Sequence, residues 1–128
     1  MFNILVVEDD FNTRRLMCTV LERYGYHPIP TGDGVEALEQ LDKKHVDLIL
    51  LDIMMPRMDG YELVRTLRES GNQIPVLMIT AKDAFDDMRQ GYLSGVDDYM
   101  VKPVNVGEMI LRIGALLRRA QMNSERRQ

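Results

Sequence analysis

Residues 48–60 read LILLDIMMPRMDG. Four apolar residues run straight into Asp52, and a second acid, Asp59, stands just before Gly60. A short continuous apolar run bounded by turn residues is the pattern of a strand covered on both faces. Strands covered on both faces belong to parallel sheets, so this stretch selects an α/β fold. It also poses a problem, because a carboxylate at the tip of a buried strand costs free energy unless something offsets its charge.

The same pattern repeats on either side. Residues 4–7 (ILVV) and 76–79 (VLMI) are further apolar runs, and 99–101 (YMV) is a short one. Residues 27–31 (HPIPT) form a weaker strand whose two prolines cannot donate ladder hydrogen bonds, which places it at a sheet edge. Helical spacing recurs between the strands: Leu16, Met17, Val20, Leu21 and Tyr24, then Val35, Leu38 and Leu41, then Leu63, Val64 and Leu67. A fourth, less regular set is Phe85, Met88 and Tyr92, and a fifth is Met109, Ile110, Ile113, Leu116 and Leu117. Gly25, Gly71 and Gly95 close the first, third and fourth helices, and Asn105-x-x-Glu108 is a cap pair opening the fifth. This alternation predicts an α/β, flavodoxin-like, doubly wound (βα)5 fold: a five-stranded parallel sheet of order 2-1-3-4-5 with helices on both faces.

A chain of 128 residues, 45% hydrophobic and 28% charged, fits one domain with a real core. A net charge of −4 gives no global sign of a nucleic-acid partner. The one cysteine, Cys18, sits beside Met17 and near Leu21, which reads as a buried thiol in a reducing compartment. The amino terminus has neither a basic lead nor a long apolar run, so no membrane association and a cytoplasmic location are expected. Residues 120–128 (AQMNSERRQ) lose the apolar period and read as a frayed end or linker, which divides the chain into a domain over 1–120 and a linker over 121–128.

In the order 2-1-3-4-5 the chain reverses between strands one and three, and ligand chemistry belongs outside the carboxyl ends of the strands there. Those ends carry Glu8-Asp9-Asp10, Asp52, Thr80-Ala81 and Lys102-Pro103. Carboxylates brought together disfavour one another's ionisation unless a cation sits among them, so without a metal Asp9 and Asp52 are expected to repel and to raise a carboxylate pKa. Oxygen-only donors with open positions suit Mg²⁺, and no Cys/His set has zinc-ligand spacing. An aspartate beside a lysine and a hydroxyl can act as a nucleophile toward a phosphoryl group. Each residue also has a plainer reading. Asp10 can cap the first helix, Thr80 can be a strand-end hydroxyl, Lys102 a surface lysine, and Asp97 and Asp98 turn acids. Gly32-x-Gly34-x-x-Ala37 fits a dinucleotide-binding fingerprint, but a proline-bearing strand precedes it and Asp9, Thr80 and Lys102 are then without a role.

The motifs ILVVEDD, DIMMPRMDG, the Thr80-Ala81 pair and SGVDDYMVKP follow one another, each at the carboxyl end of its own strand. Over residues 2–120 the chain resembles the receiver domain of bacterial two-component response regulators. The resemblance implies that Asp52 is the phosphoacceptor and that a sensor histidine kinase supplies the phosphoryl group. It implies that Asp9 binds Mg²⁺ directly, Glu8 through water, and Met54 through its backbone carbonyl. Lys102 would pair with the phosphoryl oxygens, Thr80 would donate its hydroxyl to them, and Tyr99 would be the aromatic switch. Lys102-Pro103 would be a cis peptide. The domain would catalyse only its own phosphorylation and slow dephosphorylation, so it is a signalling domain rather than an enzyme in the usual sense.

DDYMVKP, followed by Glu108, Ile110, Arg112, Ile113, Leu116, Leu117, Arg118 and Arg119, resembles the winged-helix transcription-factor subfamily. That implies a phosphorylated homodimer through the fourth helix, fifth strand and fifth helix, with Asp97, Asp98, Glu108, Arg112 and Arg119 on the shared face. DNA would be bound only by a domain beyond residue 128. Met88, Leu93 and Val104 depart from the subfamily pattern and imply a more apolar contact. The kinase is expected on the first helix near Thr13, Arg14 and Met17, with the loop after Lys102. The alternative is a stand-alone receiver that docks a protein partner.

Overall fold

A computed structural model of the chain describes residues 1–53, 58–80 and 95–126, the side chains of 124–126 excepted. Five parallel strands form one sheet: β1 (Asn3–Val7), β2 (His27–Thr31), β3 (Leu48–Asp52), β4 (Val76–Thr80) and β5 (Asp98–Val101). Their order is β2-β1-β3-β4-β5, as expected, with the proline-bearing strand at one edge. The helices are α1 (Phe11–Arg23), α2 (Gly34–Lys43), α3 (Gly60–Glu69) and a C-terminal helix (Val106–Arg126). The expected helix through Phe85, Met88 and Tyr92 lies outside the described residues, as do Met54 and Leu93.

The period-two pleat explains why the inner strands are apolar without interruption. Leu5, Val7, Ile49, Leu51 and Met78 face a core completed by Ala37 of α2 and by Leu63, Val64 and Leu67 of α3. Ile4, Val6, Leu48, Leu50, Leu77 and Ile79 face a second core, completed by Met17, Val20 and Leu21 of α1 and by Met109, Ile113, Leu116 and Leu117 of the C-terminal helix. Both faces of the sheet are therefore covered. Each described helix opens on a side-chain cap. Asp10, Asp33, Asp59 and Asn105 accept hydrogen bonds from the N–H groups of Thr13, Glu36, Glu62 and Glu108. Each cap contributes about 1 kcal/mol. Gly25 and Gly71 take φ of 86° and 84° just past α1 and α3, where an L side chain would be strained.

Three expectations need correction. Leu16 and Tyr24 do not share the buried face of α1; they are 62% and 55% exposed. Leu16 lies off the Met17–Val20–Leu21 stripe, and Tyr24 falls past the last helical residue. Cys18 is half-buried, packed at the margin of the second core rather than inside it. The segment read as frayed from residue 120 is instead helical through Arg126. Its apolar period stops because the helix has outrun the sheet, while Ala, Gln, Met, Glu and Arg continue to favour helix with no glycine or proline to break it.

One polar staple was not expected. Arg68, in the last turn of α3, donates to the carbonyls of Gly95, Asn72 and Ile74 at 3.1, 2.9 and 2.8 Å. It also pairs with Asp97 at 2.9 Å, and the same Asp97 oxygen accepts the Val76 N–H at 2.8 Å. One side chain thus ties the end of α3 to the entrances of β4 and β5. Arg68→Ala is expected to lower the unfolding free energy by about 2–3 kcal/mol, because it leaves half-buried carbonyls and a carboxylate without their donor. Urea denaturation of parent and variant measures the difference.

Candidate functional site

Strand register gathers the site. Val7 lies opposite Leu51, so Glu8, the next residue, comes level with Asp52. Asp52 lies opposite Ile79, and Thr80, one step on, lies opposite Val101, which precedes Lys102. Glu8, Asp52, Thr80 and Lys102 therefore meet at the carboxyl edge of four adjacent strands. Asp52 and Glu8 are each 3% exposed and Thr80 is fully buried. The start of α3 is pressed against this edge. Gly60 donates its N–H to the Ile53 carbonyl at 3.1 Å, and a Cβ on Gly60 would come within 3.0 Å of the Ile53 Cα. Only glycine lets the helix approach so closely.

The charge at the tip of β3 has a partner. Lys102 Nζ donates to Asp52 Oδ2 at 2.7 Å. Partial burial alone would pull the Lys102 ammonium down, but the hydrogen bond to Asp52 and the charges of Asp52, Glu8 and Asp9 outweigh it and hold its pKa above the ordinary value. Glu8 carries the strain of the acidic pair. Burial, then its hydrogen bond to Asp52 and the Asp52 charge, push its carboxyl from an ordinary 4.5 up to about 8. The sequence pointed to Asp9 and Asp52 as the repelling pair. The structure makes it Glu8 and Asp52, because the strand register turns Glu8 inward while Asp9 is exposed at the rim.

Glu8 Oε2 and the Thr80 hydroxyl are buried here without a hydrogen-bond partner among the described residues. Among the described residues no three acidic, histidine or cysteine side chains converge into a closed metal cage. The donor set is instead an open one, two carboxylates side by side with a third at the rim. That composition fits Mg²⁺, which is held by one or two carboxylates and keeps several waters. A bound cation would also satisfy the partnerless oxygen of Glu8.

The remaining expected residues are placed as follows. Tyr99 is buried in the core on the α2–α3 side of the sheet, and the Lys102-Pro103 peptide is cis. Arg112 pairs with Asp98 and with Glu108, both at 2.9 Å, so these three charges of the expected dimer face are already joined within the chain. Asp97 is engaged by Arg68, and it shares a shallow hollow with Arg119. Met17 is not on the exposed face of α1; it is packed in the core and shows only one wall of an apolar groove with Thr13, Leu16, Val104 and Val106. Sequence reading missed Arg68. Its only signal was a basic residue in the last turn of a helix, which many solvated helices share.

The sequence matches the family described as "Response regulator receiver domain" over residues 4–114. The chain belongs to that family. Among curated proteins it is similar to the heme response regulator HssR of Staphylococcus epidermidis, 42% identical over 125 residues, covering 98% of this chain and 55% of that protein. It is also similar to the transcriptional regulatory protein PcoR of Escherichia coli, 41% identical over 121 residues, covering 94% and 54%. The chain thus spans about half the length of these relatives. Among solved structures, the receiver domain of Francisella response regulator 1452 superposes with a TM-score of 0.89 at 33% identity, covering 94% of this chain and 99% of that one. The Vibrio cholerae chemotaxis protein CheY4 gives 0.85 at 29%, covering 91% and 98%. No helix among the described residues is long and apolar enough to cross a membrane.

The raised Glu8 pKa makes the metal-free fold pH-dependent. Below about 4.5 the carboxyl is protonated whether the chain is folded or not. Between 4.5 and about 8 the unfolded chain ionises while the folded one keeps its proton, so stability falls as pH rises. In EDTA the parent is expected to lose stability from pH 5 to pH 8, and Glu8→Gln to flatten that slope; urea titrations across this window measure both.

Proposed function

We propose that the chain is a Mg²⁺-dependent receiver switch phosphorylated on Asp52 by a sensor histidine kinase. The observation that carries this reading is the buried Asp52 held at 2.7 Å by Lys102, with the buried Thr80 hydroxyl at the same strand edge. An Asp52 oxygen attacks the phosphorus of a phosphohistidine. An O–P bond forms, the N–P bond breaks, and the imidazole leaves with the electron pair. Mg²⁺, held by Asp9, by Glu8 through water, by Asp52 and by the carbonyl of Met54, would neutralise charge on the phosphoryl oxygens. Lys102 shifts from Asp52 to a phosphoryl oxygen, and the Thr80 hydroxyl donates to the same group.

Movement of Thr80 changes the space next to Tyr99 and so reshapes the face made by the fourth helix, β5 and the C-terminal helix. That face then pairs two copies, with Asp97, Asp98, Glu108, Arg112 and Arg119 around its edge. The Arg112–Asp98 and Arg112–Glu108 pairs within one chain would be exchanged for pairs between chains. Residues 1–120 act as the receiver and 121–128 lead to a DNA-binding domain, in a cytoplasmic transcription regulator. The half-length match to PcoR, a transcriptional regulatory protein, supports this output. A second reading, a stand-alone receiver that docks a protein partner, is favoured by the near full-length match to the chemotaxis protein CheY4. In both, the apolar groove of Thr13, Leu16, Met17, Val104 and Val106 is the place for the kinase.

Incubation with acetyl phosphate and Mg²⁺ should give the parent one hydroxylamine-labile phosphoryl group by intact mass and give Asp52→Asn none. The same labile phosphate on the variant would sink the assignment. Mg²⁺ should raise the melting temperature of the parent, and Asp9→Asn should remove most of that rise. Thr80→Ala should still accept phosphate but dimerise roughly tenfold more weakly, since a hydrogen bond to a charged group is lost. Sedimentation of the phosphorylated proteins measures this.

A further inference from the structure

Arg14 sits on α1, four residues past the cap Asp10, and folds back over the acidic end of β1. Its Nη1 donates to the carbonyl oxygen of Glu8 at 2.7 Å and reaches that of Asp9 at 3.5 Å. The guanidinium lies over the Phe11 ring, 5.7 Å from its centroid. On the other side is Gly32, where a Cβ would stand 3.5 Å from Arg14 Nη1. Gly32 is itself fixed by its N–H, which donates to Glu36 Oε2 at 2.7 Å. The other side of Glu8 is gripped as well: its N–H donates to the Thr31 carbonyl at 3.1 Å, and the Thr31 hydroxyl donates to Val6 at 2.9 Å.

Glu8 is therefore held by its N–H through β2 and by its C=O through α1. The peptide joining Glu8 to Asp9 fixes where both carboxylates stand: Glu8 turned inward beside Asp52, Asp9 at the rim. We propose that Arg14 is a positioning residue for the divalent-cation site, holding the Glu8–Asp9 peptide so that both carboxylates stand beside Asp52. This rests on the reading that these acids bind Mg²⁺. Groups that orient metal ligands without touching the ion commonly change affinity by about 10–100-fold.

Charge alone predicts the opposite sign. Removing a cation near an acidic site should tighten Mg²⁺ binding, whereas releasing the peptide should weaken it. Arg14→Met keeps an unbranched stem over Phe11 and removes the donors. Arg14→Lys keeps the charge and one point donor without the fork. Arg15→Met removes a charge from the next, exposed position.

Mg²⁺ dissociation constants from calorimetry, with melting temperatures in EDTA, separate these effects. About tenfold weaker binding by Arg14→Met is expected, with Arg14→Lys between it and the parent and Arg15→Met unchanged or slightly tighter. Parent-like or tighter binding by Arg14→Met would overturn the inference. If Arg14→Met loses its cooperative melt in EDTA, Arg14→Lys decides: weaker binding supports the role and parent-like binding removes it. A parent that binds no Mg²⁺ would overturn both this inference and the function proposed above, so the two failures are distinguishable.

Discussion

The ion pair between Lys102 and Asp52 is the constraint around which the rest of the molecule is arranged. Asp52 is buried at the end of a strand with apolar neighbours on both faces, where an unpaired carboxylate would be strongly disfavoured. Lys102 reaches it from two strands away, and more than a third of the lysine side chain stays in solvent. The pair thus joins a buried group to an exposed one. Such a pair is weak as a source of stability, since its attraction is set against desolvation. What it does is offset the charge of a carboxylate that the strand buries.

Glu8 completes this arrangement. Burial and the neighbouring Asp52 hold the Glu8 carboxyl well above its ordinary range, so the acidic edge favours a neutral Glu8. The fold tolerates the misfit because two backbone grips, from Thr31 and from Arg14, keep the end of β1 in place. Rigid backbone and unsatisfied side chains sit side by side, which is what a binding edge requires.

Much of this was legible in the residues, and the exceptions share a cause. The sheet could be read because β1, β3 and β4 carry unbroken apolar runs up to their carboxyl ends, and because the prolines of β2 exclude it from the interior. Asp52 and Lys102 could be read because each ends its strand. Arg68 and Arg14 could not, since each bonds to backbone carbonyls distant in sequence or facing a direction no residue type encodes. That Glu8 rather than Asp9 faces Asp52 was decided by a register of one residue, which the acidic run alone does not set, so Asp9 was paired with Asp52 in error. The helical continuation past residue 120 was missed because the apolar period marks contact with the sheet, not helicity.

That continuation has a mechanical meaning. The last core residue of the C-terminal helix is Leu117, and the helix runs on to Arg126. The stretch past Leu117, roughly 13 Å long at 1.5 Å per residue, continues as helix rather than as a tether, with Ala120, Gln121 and Asn123 still bordering hollows shared with Phe2, Asp47, Gln73 and Pro75. A tether would forget the orientation of the sheet within a few residues. A helix preserves it as a phase angle: each residue advances the azimuth by about 100°, so the orientation of the helix end follows from the packing of Ile113, Leu116 and Leu117. A small tilt of this helix against the sheet would sweep through a larger arc at its end.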